Sequence, residues 1–184
     1  MSTRKGGLRP QSTLDFRLMS LTYRFRDFIR SRMSILSEVG IKQDFHVLDY
    51  GCGPGSYIVP LAELVGNAGK VYALDINPIA IQSVQKIAAK RQLVNVHTIL
   101  SDCETGLPPD SLDAVLLHDN LHDLSNSSEV LAELHRVLRP EGVLSVSDHH
   151  FGQDEIVSRI TEEGLYKLST RGRATHNFSK NKPQ

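Results

Sequence analysis

Five acids recur along this chain, each at or just past the end of a short apolar run: Asp49, Asp75, Asp102, Asp119 and Asp148. The first opens the stretch Asp49-Tyr50-Gly51-Cys52-Gly53-Pro54-Gly55, with glycines at alternate positions. A glycine-rich turn after a strand lets backbone approach a ligand closely, and the helix that starts beyond it attracts negative charge. The spacing separates two ligand classes. A dinucleotide fingerprint reads Gly-x-Gly-x-x-Gly and packs its glycines on a pyrophosphate. Here the pattern is Asp-x-Gly-x-Gly-x-Gly, and an acid so near the ligand would repel a pyrophosphate. It suits a ligand carrying a cationic ammonium group. Asp75 falls twenty residues after Gly55, where an acid accepts hydrogen bonds from ribose hydroxyls.

These acids need a scaffold that brings them to one edge. The segments alternate between strand-like and helix-like patterns. His46–Tyr50, Val71–Asp75, Val94–Leu100, Asp113–His118 and Gly142–Asp148 read as five strands. Helices are expected at Ser56–Val65, Pro78–Arg91, Ser127–Leu138 and Gln153–Glu163. Pro60 makes the first of these the weakest, because it sits about one turn inside it. Leu165–Thr170 and Ala174–Lys180 read as a closing hairpin around Arg171-Gly172-Arg173. Strand, helix, strand repeated through short loops implies right-handed crossovers and a parallel sheet, with the ligand at the carboxyl ends of the strands. Ahead of this lies a polar, Gly-rich segment, 1–13, read as a disordered tail. An amphipathic helix is expected from Leu14 to about Glu38, on the spacing of Leu14, Leu18, Leu21, Phe25 and Phe28.

With 184 residues, 40% apolar and 23% charged, the chain suits one soluble domain. Formal net charge is zero, so nothing draws the whole molecule to nucleic acid. Arg4, Lys5, Arg9, Arg17, Arg24, Arg26, Arg30 and Arg32 nevertheless crowd the first 32 residues against Asp15 and Asp27. A solvated face explains that, and so would a patch for an anionic acceptor. Cys52 and Cys103 form no Cys-x-x-Cys pair, which points to free thiols and a cytoplasmic setting. No apolar run reaches the length of a membrane span, and no signal peptide is visible.

Together these stretches resemble the class I S-adenosylmethionine-dependent methyltransferases. The resemblance rests on VLDYGCGPG (47–55), VYALDIN (71–77), SDCETGLP (101–108), LDAVLLHDNLHDL (112–124) and LAELHRVLRPEGVLSVSD (131–148). It implies an α/β fold: a doubly wound, mostly parallel Rossmann-like sheet of about seven strands with an antiparallel C-terminal hairpin. It also implies one methyltransferase domain over 14–184, whose first helix caps the site; Tyr23 is its gate candidate. S-adenosyl-L-methionine is the implied cofactor. Asp49 would hold its ammonium group, with Gly51, Cys52 and Gly53 against the methionine and ribose. Asp75 would take the ribose hydroxyls and Ile76 would pack on the adenine. Asp102 and the Cys103 N–H would meet the adenine edge, and the His118 carbonyl the amine. Tyr57 would line the same pocket or pack the following helix.

The acceptor is less defined. His118, Asp119, His122 and His149 are the catalytic candidates, with Asp123 and His150 beside them. Three readings stand: surface or helix-capping residues, acceptor-binding groups or a general base, and metal ligands. No metal is assigned. Cys52 is read as a small residue that fits, not a nucleophile. A small-molecule or lipid-like acceptor is expected. RNA or protein reached through the basic N-terminal region is the alternative, and a non-catalytic cofactor-binding module is a third.

Overall fold

A computed structural model describes residues 32–181. The expected tail and most of the helix expected over 14–38, Tyr23 included, lie outside them. Within the described residues, 32–39 are helical (α1). The order then runs β1 (His46–Tyr50), α2 (Ile58–Val65), β2 (Lys70–Asp75), α3 (Pro78–Arg91), β3 (Val96–Leu100) and β4 (Leu112–His118). A short 3-10 turn, Leu121–Asp123, leads to α4 (Ser127–Val137), β5 (Leu138–Ser147), α5 (Gln153–Thr161), β6 (Tyr166–Arg171) and β7 (His176–Lys180).

The seven strands form one sheet in the order β3-β2-β1-β4-β5-β7-β6. The first five are parallel, and β7 runs antiparallel to both β5 and β6. The order reverses between β1 and β4, so the crevice for a ligand opens beyond the carboxyl ends of those two strands. Side chains alternate across the sheet and split the core in two. Val47, Val71, Ala73, Ala114 and Leu116 pack with α1 and α2 through Leu36, Ile58, Leu61 and Val65. Leu48, Tyr50, Val115 and Leu117 pack on the other face with Leu134, Ile156, Tyr166 and Phe178. The hairpin is tied to α1 by Glu38. Its carboxylate accepts the N–H groups of Arg173 (3.2 Å), Ala174 (3.0 Å) and Thr175 (3.0 Å).

Many boundaries shift by one or two residues, β3 starting at Val96 and α5 ending at Thr161, and two differences have clear local reasons. Helix α2 begins at Ile58, not Ser56, because Gly51 to Tyr57 are used by the turn. That puts Pro60 in the first turn, where a missing N–H breaks no helical bond. Strand β5 begins at Leu138, directly after α4, not at Gly142. Leu138 pairs with Leu112, and the register then shifts before Val143 joins Ala114. Pro140 sits in that irregularity, where the ladder asks for no N–H.

Candidate functional site

Two adjoining cavities open at the carboxyl edge of the sheet. The larger, of about 520 Å³, is lined by Tyr50, Gly51, Asp75, Ile76, Asp102 and Asn120 among others. The smaller, of about 220 Å³, is lined by Arg32, Asp49, Cys52, Gly53, Tyr57 and His118 among others. Gly51 and Asn120 border both, so the two are halves of one cleft.

The turn after β1 is held from β2. The N–H groups of Gly51 and Cys52 both donate to the Leu74 carbonyl, at 2.8 and 2.9 Å. The Gly53 N–H donates to Asp75 Oδ2 at 2.8 Å, and the Asn77 N–H to Asp75 Oδ1 at 2.8 Å. Gly51 has φ +73°, and a Cβ there would fall on the side-chain amide of Asn120. That amide reaches the carbonyls of Tyr50 (3.2 Å), Gly51 (3.0 Å) and His118 (2.9 Å). Glycine is thus needed for both conformation and closeness.

The electrostatics of the smaller half are unusual. Asp49 is 3% exposed and its Oδ2 has no hydrogen-bond partner. Burial, then the neighbouring Asp75, push its carboxyl up to about 7, and Arg32 only partly offsets this. A buried carboxylate oxygen without a donor is costly, so this one is set to receive a cation. His118 is also buried. Desolvation pushes its imidazole down to about 4, so at neutral pH it is uncharged. Its Nε2 lies 3.1 Å from Ser145 Oγ, and its ring meets Tyr57 edge-on at 5.3 Å. Arg32 donates to the Tyr57 hydroxyl at 2.9 Å. Burial drives the Cys52 thiol far up, with Asp49 and Asp75 adding to it, so the group stays protonated.

A family profile described as a methyltransferase domain matches residues 41–182. The chain belongs to the class I S-adenosylmethionine-dependent methyltransferases. A methyltransferase of this kind from Aquifex aeolicus superposes with a TM-score of 0.72 at 26% identity, covering 81% of this chain and 88% of that one. The ubiquinone/menaquinone biosynthesis C-methyltransferase UbiE of Marinomonas sp. is 28% identical over 135 residues, which are 72% of this chain and 54% of that protein. The aklanonic acid methyltransferase DauC of a Streptomyces species is 44% identical over 71 residues, 38% of this chain and 32% of that protein. The chain therefore spans about half, or less, of the length of these curated relatives.

In this member of the family the structure gathers most of the residues expected at the cofactor. Asp49, Cys52, Gly53 and His118 line the smaller half, Asp75, Ile76 and Asp102 the larger, and Gly51 both. Ile76 is 69% exposed, an apolar surface offered to a flat ligand. Cys103 is placed differently. It lines neither half, packs partly against the main core, and donates its N–H to Ser101 Oγ at 3.2 Å. Ser101 itself lines the larger half. Asn120 and Arg32 are two lining residues that the sequence did not mark as part of the site. Arg32 showed only as one charge in a basic stretch. Asn120 carried no signal beyond standing two residues past a strand end.

The catalytic candidates fall into two groups. His118 and Asp119 both line the smaller half, His118 against the Tyr57 ring, while His122, in the turn after β4, and His149, just past β5, line neither half. Asp119 has φ +54°, a rare conformation for a residue with a side chain, and pairs with His149 Nδ1 at 3.0 Å. His122 Nδ1 meets Asp148 Oδ2 at 2.8 Å. That bond raises the His122 imidazole above its ordinary value, against burial.

Proposed function

We propose that this chain transfers a methyl group from S-adenosylmethionine to a small-molecule or lipid-like acceptor. The observation that carries the reading is Asp49: a buried carboxylate oxygen without a donor, beside a glycine turn, in a cleft whose other half bears Asp75 and Asp102. This set fits a ligand with an ammonium group at one end and a nucleoside at the other. Asp49 holds the ammonium, Asp75 the ribose hydroxyls, Ile76 and Asp102 the adenine. When bound, the cofactor supplies a methyl group already activated by its sulfonium charge. The protein's own task is then alignment and exclusion of water. The neutral His118 and the Tyr57 ring keep the methionine side of the cleft low in charge. Asp119, His122 and His149 stand on the acceptor side of this arrangement.

The names of the relatives support the acceptor class. One is named for ubiquinone and menaquinone biosynthesis and one for aklanonic acid. Among the described residues no helix is long and apolar enough to cross a membrane. The two free thiols, Cys52 and Cys103, favour a cytoplasmic setting. The test is turnover with quinone-like and other small phenolic acceptors, read as S-adenosylhomocysteine release. Substituting His122 or His149 should lower turnover more than cofactor affinity. Equal turnover in both variants would remove these residues from the acceptor side.

A further inference from the structure

Three imidazoles and two carboxylates meet between the ends of β4 and β5, beside the cleft. Asp148, whose side chain is fully buried, lies at the centre. One of its oxygens, Oδ2, faces His122 Nδ1 at 2.8 Å, and the other, Oδ1, faces His150 Nδ1 at 3.4 Å. The same two oxygens accept the backbone N–H groups of His122 (3.0 Å) and His150 (2.9 Å). Both histidines are therefore fixed at main chain and side chain to one carboxylate. The His122 and His150 ring centroids lie 3.8 Å apart, and those of His149 and His150 4.0 Å.

We infer that His122, Asp148 and His150 form a binding site for one divalent transition-metal ion, zinc being the best match to the donors. The donor atoms of the three lie within 4.8 Å of one another. Metal–ligand bonds of about 2.0–2.1 Å at tetrahedral angles place donors about 3.4 Å apart. The separations of 2.8 and 3.4 Å run up to that value. Each Asp148 oxygen keeps a lone pair after its backbone hydrogen bond. Neutral imidazole nitrogen with one carboxylate is the donor set zinc takes when a position is left open for water or an anionic oxygen. An ordinary hydrogen-bonded pair would need only His122. It does not account for a second ring on the other oxygen, nor for rings stacked so closely that shared protonation would be repulsive. Binding asks only that the coordinating nitrogen of each ring be free of its proton, which goes to solvent or to the ring's other nitrogen.

A second triad, Asp119, Asp148 and His149, also converges. Its outer members are 51% and 69% exposed, and only Asp148 is held from the interior, so it is the less preorganised of the two. The inference does not rest on the cofactor reading, and the two can fail separately.

The test uses the whole chain without an oligohistidine tag, freed of metal by a chelator. It is titrated with Zn²⁺ by calorimetry and with Co²⁺ by visible absorption. One equivalent of each should bind, and excess Mg²⁺ should not displace it. His122→Ala and His150→Ala should each weaken Zn²⁺ binding by at least about tenfold. His149→Ala should leave it within about twofold. Circular dichroism melting checks that the variants fold, and His150, half-exposed, is decisive if His122→Ala does not. Absence of stoichiometric uptake by the wild-type chain overturns the inference. So does uptake that survives His150→Ala, or that is lost only in His149→Ala. S-adenosylhomocysteine binding, measured on the same samples, reports on the cofactor reading alone.

Discussion

Asp75 Oδ2 accepts the Gly53 N–H at 2.8 Å, joining the acid that ends β2 to the glycine turn that follows β1. One carboxylate thus braces the turn and lines the larger half of the cleft. Removing it should act twice. Asp75→Ala should weaken S-adenosylhomocysteine binding by about 10²-fold or more, since a charge-assisted bond and the turn's brace are lost together. Asp75→Asn, which keeps an acceptor for Gly53, should retain more. Calorimetry on both variants checks this, and equal loss would mean the brace contributes nothing.

The state of Asp49 should set the pH dependence. Its carboxyl is raised to about 7 by burial and then by Asp75, against Arg32. Between about pH 4 and 7 the folded chain holds a proton that the unfolded chain has released, so folding stability falls as pH rises through that window. Asp49→Asn should therefore melt higher than wild type at pH 8, by up to about 4 kcal/mol of stability, and converge with it near pH 4. Cofactor affinity should move the other way. In the wild-type chain it should drop below pH 7 as the carboxylate protonates, and the Asp49→Asn variant should bind poorly throughout. Melting curves and calorimetry across pH 5 to 8 measure both. A variant both less stable and unchanged in affinity would place Asp49 in the core alone.

Two glycines of the turn should fail for different reasons. A Cβ at Gly51 meets the Asn120 amide, whereas a Cβ at Gly53 meets no protein atom within 4 Å. Gly51→Ala should cost stability, about 1–3 kcal/mol from the collision and the positive φ. Part should return in the Gly51→Ala, Asn120→Ala double variant. Gly53→Ala, at φ +49° but with open space around the new methyl, should lose only the backbone part, about 1 kcal/mol, yet bind cofactor weakly. Thermal denaturation separates the two, and identical melting of both single variants would contradict the Asn120 contact.

Cys52 should be unreactive although it borders the cleft. Burial raises its thiol, and Asp49 and Asp75 add to that; burial, then Glu133 and Asp102, raise the Cys103 thiol. The thiolate is the reactive form. A colorimetric disulfide reagent at pH 7 should label both slowly in the folded chain and fast after denaturation. Rapid labelling of Cys52 in the native protein would show that the turn opens.

Much of this fold was readable because each element announced itself. Pro78 at the start of α3 and Arg91 at its end match the expected bounds, since proline suits a first turn and cations a last one. The strand acids Asp49 and Asp75 met at one cleft because parallel strands joined by short crossovers must end at one edge. What escaped was tertiary. Asn120 acts through carbonyls of Tyr50, Gly51 and His118, contacts that no local pattern encodes. Arg32 reaches Tyr57 across 25 residues of sequence. The cluster around Asp148 needed the 3-10 turn Leu121–Asp123, too short to carry a periodic signal, to set His122 against the end of β5.

The cleft's identity as a sulfonium-cofactor site is tested most directly by calorimetry of the full chain with S-adenosylhomocysteine and, separately, with NAD. One equivalent of S-adenosylhomocysteine should bind, with binding sharply weakened in Asp75→Ala and Asp49→Asn, and NAD should give no heat. Tight NAD binding with none for S-adenosylhomocysteine would contradict it.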